Sequence, residues 1–365
     1  MKPNSQSHGD LARIKSFRIR TIKAPLDKPH KTASGTIEAA PLVLLDVETD
    51  VGVIGSSYVF VYTPMALKPV ASLLGNLEEL VVNEPLEPET INAALEAKFR
   101  LLGNQGLTGI AVAAIDMALW DAAARLANKS LVRLLGATPK PLAVYDSLGQ
   151  MGPDETAREV ETSLQRGFRA FKIKAGHENP QTDVAVIRAI KNVAGDDVWL
   201  AVDFNQAFSP PEAIARMQLL DKENLKWIEE PVRAEDYIGH AAVRSAIKTP
   251  VQTGENWWGV ADMKKSLAAG ASDMTMPDAM KIGGVTGWMK AAALDHGLPV
   301  SSHLFAEISS HLLTVTPNAH MLEWLDVAGA INQTPISIVN GQTKALDVAG
   351  SGLNWNEKAI AKYSA

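Results

Sequence analysis

After Pro141 the chain repeats one form: a short apolar run ends on a charged or polar residue, and a helix-spaced stretch follows. The runs cover residues 142–146, 170–174, 198–203, 226–229, 251–255, 273–277, 299–303 and 321–325. Helical spacing fills the gaps, for example at 183–193, 211–221, 234–246 and 285–296. Eight strand-like runs alternating with helices predict a parallel sheet closed on itself, a (β/α)-barrel of the α/β class. An open doubly wound sheet is the competing arrangement, but no Gly-rich dinucleotide fingerprint follows any run. The polar ends keep a fixed interval: 26 residues from Asp203 to Glu229, 26 from Glu229 to Glu255, and 25 from Asp278 to His303. Such an interval is one βα unit of a barrel of about 200 residues. Residues at equal phase converge on one mouth, where barrels of this kind keep their chemistry.

The first part of the chain has a different pattern. Residues 17–24 and 42–48 alternate apolar and polar, which predicts two strands. Between them, residues 25–41 are polar and turn-rich and read as a mobile loop. Residues 110–126 are rich in Ala, Leu and Met, with Asp116 and Asp121 as the only acids, and predict a buried helix. Residues 17–140 therefore read as an α+β domain ahead of the barrel.

Composition narrows the partners. Hydrophobic residues make up 46% and charged residues 21%, as in an ordinary globular protein. A formal charge of −6 without Lys/Arg clusters argues against nucleic acid. No cysteine is present, which excludes disulfides, thiolate metal sites and a Cys nucleophile. No uncharged apolar run reaches bilayer length and residues 1–15 lack a signal-like core, so a cytoplasmic protein without membrane contact is the expectation.

Three carboxylates in phase, Asp203, Glu229 and Glu255, offer hard oxygen donors that suit Mg²⁺, with Mn²⁺ as a substitute. Each alone reads better as the cap of the following helix. Crowded together they repel unless a cation joins them. Lys172 and Lys174 flank Ile173 and point to one side of a strand. Alone, such a pair is usually a solvated edge. In a barrel both face the mouth, and two adjacent ammonium groups lower each other's pKa, as a lysine base requires. His303 and Asp278 end adjacent strands, so an acid could fix the imidazole tautomer. Glu323 lies among apolar neighbours and is either a protonated hydrogen-bond donor or a half-buried ion-pair partner. His177, His240, His296, His311 and His320 read as structural or surface groups. Gly283-Gly284 reads as a tight turn rather than a phosphate cradle.

These motifs together resemble the enolase superfamily, mandelate racemase subgroup. The matching stretches are Lys172-Ile173-Lys174, Val202-Asp203-Phe204-Asn205, Trp227-Ile228-Glu229-Glu230-Pro231, Gly254-Glu255-Asn256, Pro277-Asp278-Ala279 with Lys281-Ile282-Gly283-Gly284, and Ser301-Ser302-His303-Leu304. The resemblance implies an α+β capping domain (1–140) with a substrate-covering loop at 25–41. It also implies a barrel (141–345) and a C-terminal segment (346–365) that returns to the cap. It assigns the metal to Asp203, Glu229 and Glu255, and the two bases to Lys174 and to His303 held by Asp278. Lys172 would neutralise a substrate carboxylate, Glu323 would donate to it, and Asn205 and Ser147 would add polar contacts. The reaction implied is α-proton abstraction from a hydroxy carboxylate through a metal-stabilised enediolate. Racemisation of mandelate or a related acid follows, in a homo-oligomer. The pattern departs at the flap: His30 and Ser34 stand where small aliphatic residues are expected, and Leu148 replaces a His after Ser147. Tyr62, Ile37, Leu304 and Leu325 keep an apolar pocket. A more polar flap is what an acid-sugar dehydratase, the alternative activity, would need; a non-catalytic binding barrel is the third reading.

Overall fold

Alternating apolar and polar residues build a three-stranded antiparallel sheet at the start of the chain: β1 (Ile14–Thr32), β2 (Gly35–Thr49) and β3 (Ile54–Phe60). The computed structural model describes residues 12–32, 35–294 and 296–365. The segment 25–41 is not the loop its composition suggests. β1 and β2 continue through it as a hairpin, with His30 opposite Ile37 and Thr32 opposite Gly35, after a register shift between Pro25 and His30. Ladder pairing and docking on the barrel outweigh the low strand propensity of its polar residues. Ser34 lies outside the described residues.

Helices α1 (Leu67–Glu78), α2 (Pro88–Lys98) and α3 (Leu107–Leu126) follow, with the short α4 (Leu131–Leu134). α3 is long and apolar enough to cross a membrane, but most of it is buried within the fold. Its small side chains let it approach β3 closely. A Cβ on Gly55 would stand 2.2 Å from the Ala118 carbonyl oxygen. The two acids of α3 act as tethers to distant parts of the chain. Asp116 Oδ2 accepts the Thr286 N–H at 2.9 Å. Asp121 accepts the N–H groups of Ser56 and Ser351 and pairs with Arg125.

The rest alternates strand and helix: β4 (Leu142–Leu148), α5 (Pro153–Gln165), β5 (Ala170–Lys174), α6 (Pro180–Ala194), β6 (Trp199–Asp203) and α7 (Pro210–Leu220). Then come β7 (Ile228–Glu229), α8 (Tyr237–Ala246), β8 (Val251–Thr253), α9 (Gly259–Ala268), β9 (Met274–Thr275) and α10 (Gly284–Ala292). α11 (Ala306–Val315), β10 (Met321–Trp324), β11 (Gln342–Thr343) and α12 (Glu357–Lys362) complete the described elements. The sheet runs β10-β4-β5-β6-β7-β8-β9, all parallel, with β11 antiparallel on β4. The expected strand at 299–303 forms no regular ladder. Isolated parallel bridges, Thr275 to Val300, Asp278 to His303 and Val300 to Ala319, hold it between β9 and the start of β10. That stave closes the barrel with fewer ladder bonds because its end turns sharply, Leu304 and Phe305 both having φ of 49°.

The C-terminal residues lie against the first sheet. Lys23 N–H donates to the Tyr363 carbonyl, Trp355 Nε1 donates to Asp46, and Glu357 pairs with Arg18 and Arg20. His311 on α11 is a second staple: its Nδ1 accepts the Val132 N–H and its Nε2 meets the Ser351 carbonyl, each at 3.1 Å. Burial holds this imidazole neutral, with its pKa lowered to about 4. The unfolded chain takes up that proton near the ordinary value of 6.5, so the stability contributed by His311 is full above that pH and is lost as pH falls towards 4. Urea unfolding of the native protein and His311→Gln should show their stability gap narrowing by about 2–3 kcal/mol between pH 7 and 4.5. A gap constant with pH would contradict this.

Candidate active site

Period-two geometry on β5 sends Phe171 and Ile173 to the helix layer and Lys172 and Lys174 into the barrel mouth, where both are buried. Lys172 Nζ donates to Glu229 Oε1 at 2.7 Å and Oε2 at 2.9 Å, and lies 2.7 Å from Glu323 Oε1. Its ammonium also stands 5.4 Å from the centre of the Tyr145 ring. Lys174 pairs with Asp203. The next three strands place Asp203, Glu229 and Glu255 so that one oxygen of each lies within 4.8 Å of the others.

The turns after the strands fix these acids. Asn205, with φ of 44°, donates its N–H to Asp203 Oδ1 at 2.7 Å and its side-chain amide to Oδ2 at 3.1 Å. Trp227 Nε1 donates to Glu229 Oε2 at 3.2 Å. Asp278 accepts the N–H groups of Met280 and Lys281 on Oδ1, which aims Oδ2 at His303 Nδ1, 2.7 Å away. Nε2 of His303 then faces Glu255 Oε2 at 3.4 Å and Glu323 Oε2 at 3.9 Å. The left-handed Leu304 turns its N–H onto Glu323 Oε2 at 2.9 Å. Two successive non-glycine residues at positive φ each cost on the order of 1–3 kcal/mol, so the barrel holds this turn against its own preference.

Electrostatics correct one expectation and decide another. Burial lowers both lysines and Lys172 lowers Lys174 further, but the carboxylates prevail and both pKa values are raised, Lys174 by Asp203 and Lys172 by Glu229 and Glu323. The expected depression is thus present at Lys174 but outweighed by the acids. Burial would raise Glu323, yet Lys172, His303 and Lys174 bring it down to about 2. It is therefore an ion-pair partner here, not a protonated donor. Burial opposes charge on His303, and Glu255 and Glu323 raise it above 6.5.

The fold gathers Lys172, Lys174, Asp203, Asn205, Glu229, Glu255, Asp278, His303 and Glu323, with Leu304 beside them. Other candidates lie at the edge. A cavity of about 830 Å³ flanks the cluster, lined in part by Leu26, His30, Lys31, Ser147, Leu148 and Leu325. Ser147 Oγ is buried without a hydrogen-bond partner. His30 is buried, and burial with the Lys174 charge lowers its pKa to about 4, so it is neutral. Ile37 shares the face of His30 but is not among the residues lining the cavity, nor is Tyr62, which closes on Lys281 with its ring centre 4.5 Å from Nζ. The hairpin is docked: the Gln150 N–H donates to the Lys31 carbonyl at 2.8 Å, and Lys28 pairs with Glu159 at 2.5 Å. Gly283-Gly284 is the expected turn, and a Cβ on Gly284 would sit 2.3 Å from Asp116 Oδ2.

Sequence reasoning passed over Glu230, Asn256 and Lys281, which link to one another beside Glu255. The doubled acid Glu229-Glu230 was the available signal. The donor set fits a hard divalent cation: three oxygen ligands from three strands, and a buried Glu255 Oε2 that accepts no hydrogen bond.

Family models match two segments. Residues 15–136 match the N-terminal domain of the mandelate racemase/muconate lactonizing enzyme group, and 155–359 match the enolase C-terminal domain-like family. Among solved structures, an enolase from Bradyrhizobium complexed with magnesium and mandelic acid superposes with a TM-score of 0.94. It is 45% identical and covers 98% of this chain and 99% of its own. L-talarate/galactarate dehydratase of Salmonella typhimurium is 29% identical over 77% of this chain and 72% of its own length. L-Ala-D/L-Glu epimerase of Bacillus subtilis is 29% identical over 84% of each.

Mg²⁺ at one hundred times its Kd should raise the unfolding free energy by about 2.7 kcal/mol through linkage. Glu255→Gln should remove most of that gain. Thermal unfolding across a Mg²⁺ titration checks it, and an equal gain in the variant would contradict the three-carboxylate site.

Proposed function

Because the chain belongs to the mandelate racemase/muconate lactonizing enzyme group of the enolase superfamily, we propose that it racemises an aryl or similarly bulky α-hydroxy acid, mandelate being the first candidate. It is an enzyme of a superfamily whose solved neighbours bind Mg²⁺. The observation that supports the racemase reading is where Lys174 and His303 lie. Lys174 sits on Asp203 and His303 sits at Glu255, at the two ends of the carboxylate row.

An α-proton beside a carboxylate is scarcely acidic, because its removal puts a second negative charge on the same group. Asp203, Glu229 and Glu255 would hold Mg²⁺, which would supply positive charge for that carboxylate. Lys172, fully buried and donating to two acids, is placed to add an ammonium there. Lys174, paired with Asp203, is the other group placed to move the substrate proton, and the attraction that raises its pKa would weaken once those acids held the cation. Asp278 keeps a proton on Nδ1 of His303, so Nε2 is the atom that gives or takes the substrate proton. Deprotonation at one base and reprotonation at the other inverts the carbon. Asn205 Oδ1 and Ser147 Oγ, buried without partners, are available to the substrate hydroxyl and carboxylate.

A second reading, dehydration of an acid sugar, is favoured by one observation: a buried, neutral His30 on the hairpin beside a cavity that Lys31, Ser147 and Gln150 also line. The similar dehydratase from Salmonella is consistent with it.

Proton NMR with Mg²⁺ in D₂O, against mandelate and several aldonates, separates the two. Racemisation predicts loss of the α-proton signal with no new product and optical rotation falling to zero. A 2-keto-3-deoxy product would replace it with dehydration.

A further inference from the structure

One buried acid at the barrel mouth belongs to neither the carboxylate cluster nor an ion pair. Glu230 is 1% exposed, and its backbone adopts φ of 36° to follow Glu229. Its Oε2 accepts from Asn256 Nδ2 at 2.7 Å, and the same Nδ2 donates to Glu255 Oε1 at 3.1 Å. Asn256 Oδ1 in turn accepts from Lys281 Nζ at 2.5 Å. Lys281 is 5% exposed, and the salt bridges of the described residues include none to it. Its charge is covered instead by two rings, with the Tyr62 centre 4.5 Å and the Trp258 centre 6.0 Å from Nζ.

This chain of contacts has a direction. An ammonium has three donors and no acceptor, so it can meet only the oxygen end of the Asn256 amide. The amide NH₂ must then face the two carboxylates. A residue at 281 with nothing to donate would leave the Asn256 oxygen without its partner, so one of the two restraints on the amide would be lost. Held as observed, Asn256 occupies Oε1 of Glu255 and leaves Oε2 buried with no hydrogen bond.

We propose that Lys281 is a positioning residue for the cation site: through Asn256 it fixes the rotation of the Glu255 carboxylate and balances Glu230, while Tyr62 of the cap holds the ammonium in place. The inference rests on the reading of Asp203, Glu229 and Glu255 as ligands of a divalent cation. It adds a link from the cap to that cation which does not touch the substrate.

Mn²⁺ binding to the full-length protein, followed by EPR of the free ion, tests this without any substrate. Removing a group that orients a metal ligand typically weakens affinity about 10–100-fold. Lys281→Met and Lys281→Gln should both fall in that range, Met because it leaves the Asn256 oxygen without a donor and Gln because it removes the charge that balances Glu230. Lys281→Arg, again donor-only, should recover most of the affinity, and Tyr62→Leu should lose less than Lys281→Met. Circular dichroism confirms which variants are folded, and the Gln variant serves if Met does not fold. Wild-type affinity in a folded Met or Gln variant would overturn the proposal, as would an Arg variant as weak as Gln. No Mn²⁺ binding by the wild type would overturn the cation reading beneath it, and is thereby distinguished from failure of the relay alone.

Discussion

Repulsion among buried carboxylates is the constraint on which the barrel mouth depends. Asp203, Glu229 and Glu255 bring their oxygens within 4.8 Å, and Glu230, Asp278 and Glu323 are buried close by. Charges at such separations in a low-dielectric site cannot coexist without compensation. Lys172 and Lys174 supply part of it by direct pairing, and Lys281 supplies more through an amide. A divalent cation completes the set. The same residues that would act on a substrate are therefore also those that make the site tolerable to the fold.

The scaffold is arranged to hold that tension. Short strands end at the acids, and residues at positive φ (Asn205, Glu230, Leu304) turn the backbone so that N–H groups and side chains meet at fixed points. The cap is fastened to the barrel from several directions. Asp116 reaches Thr286, Asp121 reaches Ser351, Tyr58 donates to Glu307 at 2.8 Å, and His311 holds Val132. Against this frame the hairpin bearing His30 lines the cavity beside the cluster.

Much of this was legible in the letters. The 26-residue interval between Asp203, Glu229 and Glu255 follows directly from βα units, and the Lys-x-Lys spacing fixes both lysines on one face of β5. Residues 299–303 read as a strand because their apolar pattern is right, but the turn at Leu304 limits them to isolated bridges. The hairpin at 25–41 was hidden because its polar residues have low strand propensity and are ordered by tertiary docking through Lys31 and Gln150. The balance of charge could not be read at all: whether Lys172 lowers Lys174 more than Asp203 raises it depends on distances. Glu323 illustrates the same point, since only its 2.7 Å contact with Lys172 separates an ion pair from a protonated donor. Lys281 escaped because its partner is an amide next in sequence to a ligand, not an acid at a recognisable spacing.

The central claim is that two bases address opposite faces of one carbon, and isotope exchange in single-base variants tests it most directly. Lys174→Ala and His303→Asn, each folded and loaded with Mg²⁺, would be incubated in D₂O with the separate enantiomers of the substrate that the wild type racemises. The account predicts that neither variant racemises, and that His303→Asn exchanges the α-proton of one enantiomer only, the one whose proton faces Lys174. Lys174→Ala should show the opposite preference. Exchange of both enantiomers by either variant, or retained racemisation, would contradict the two-base arrangement.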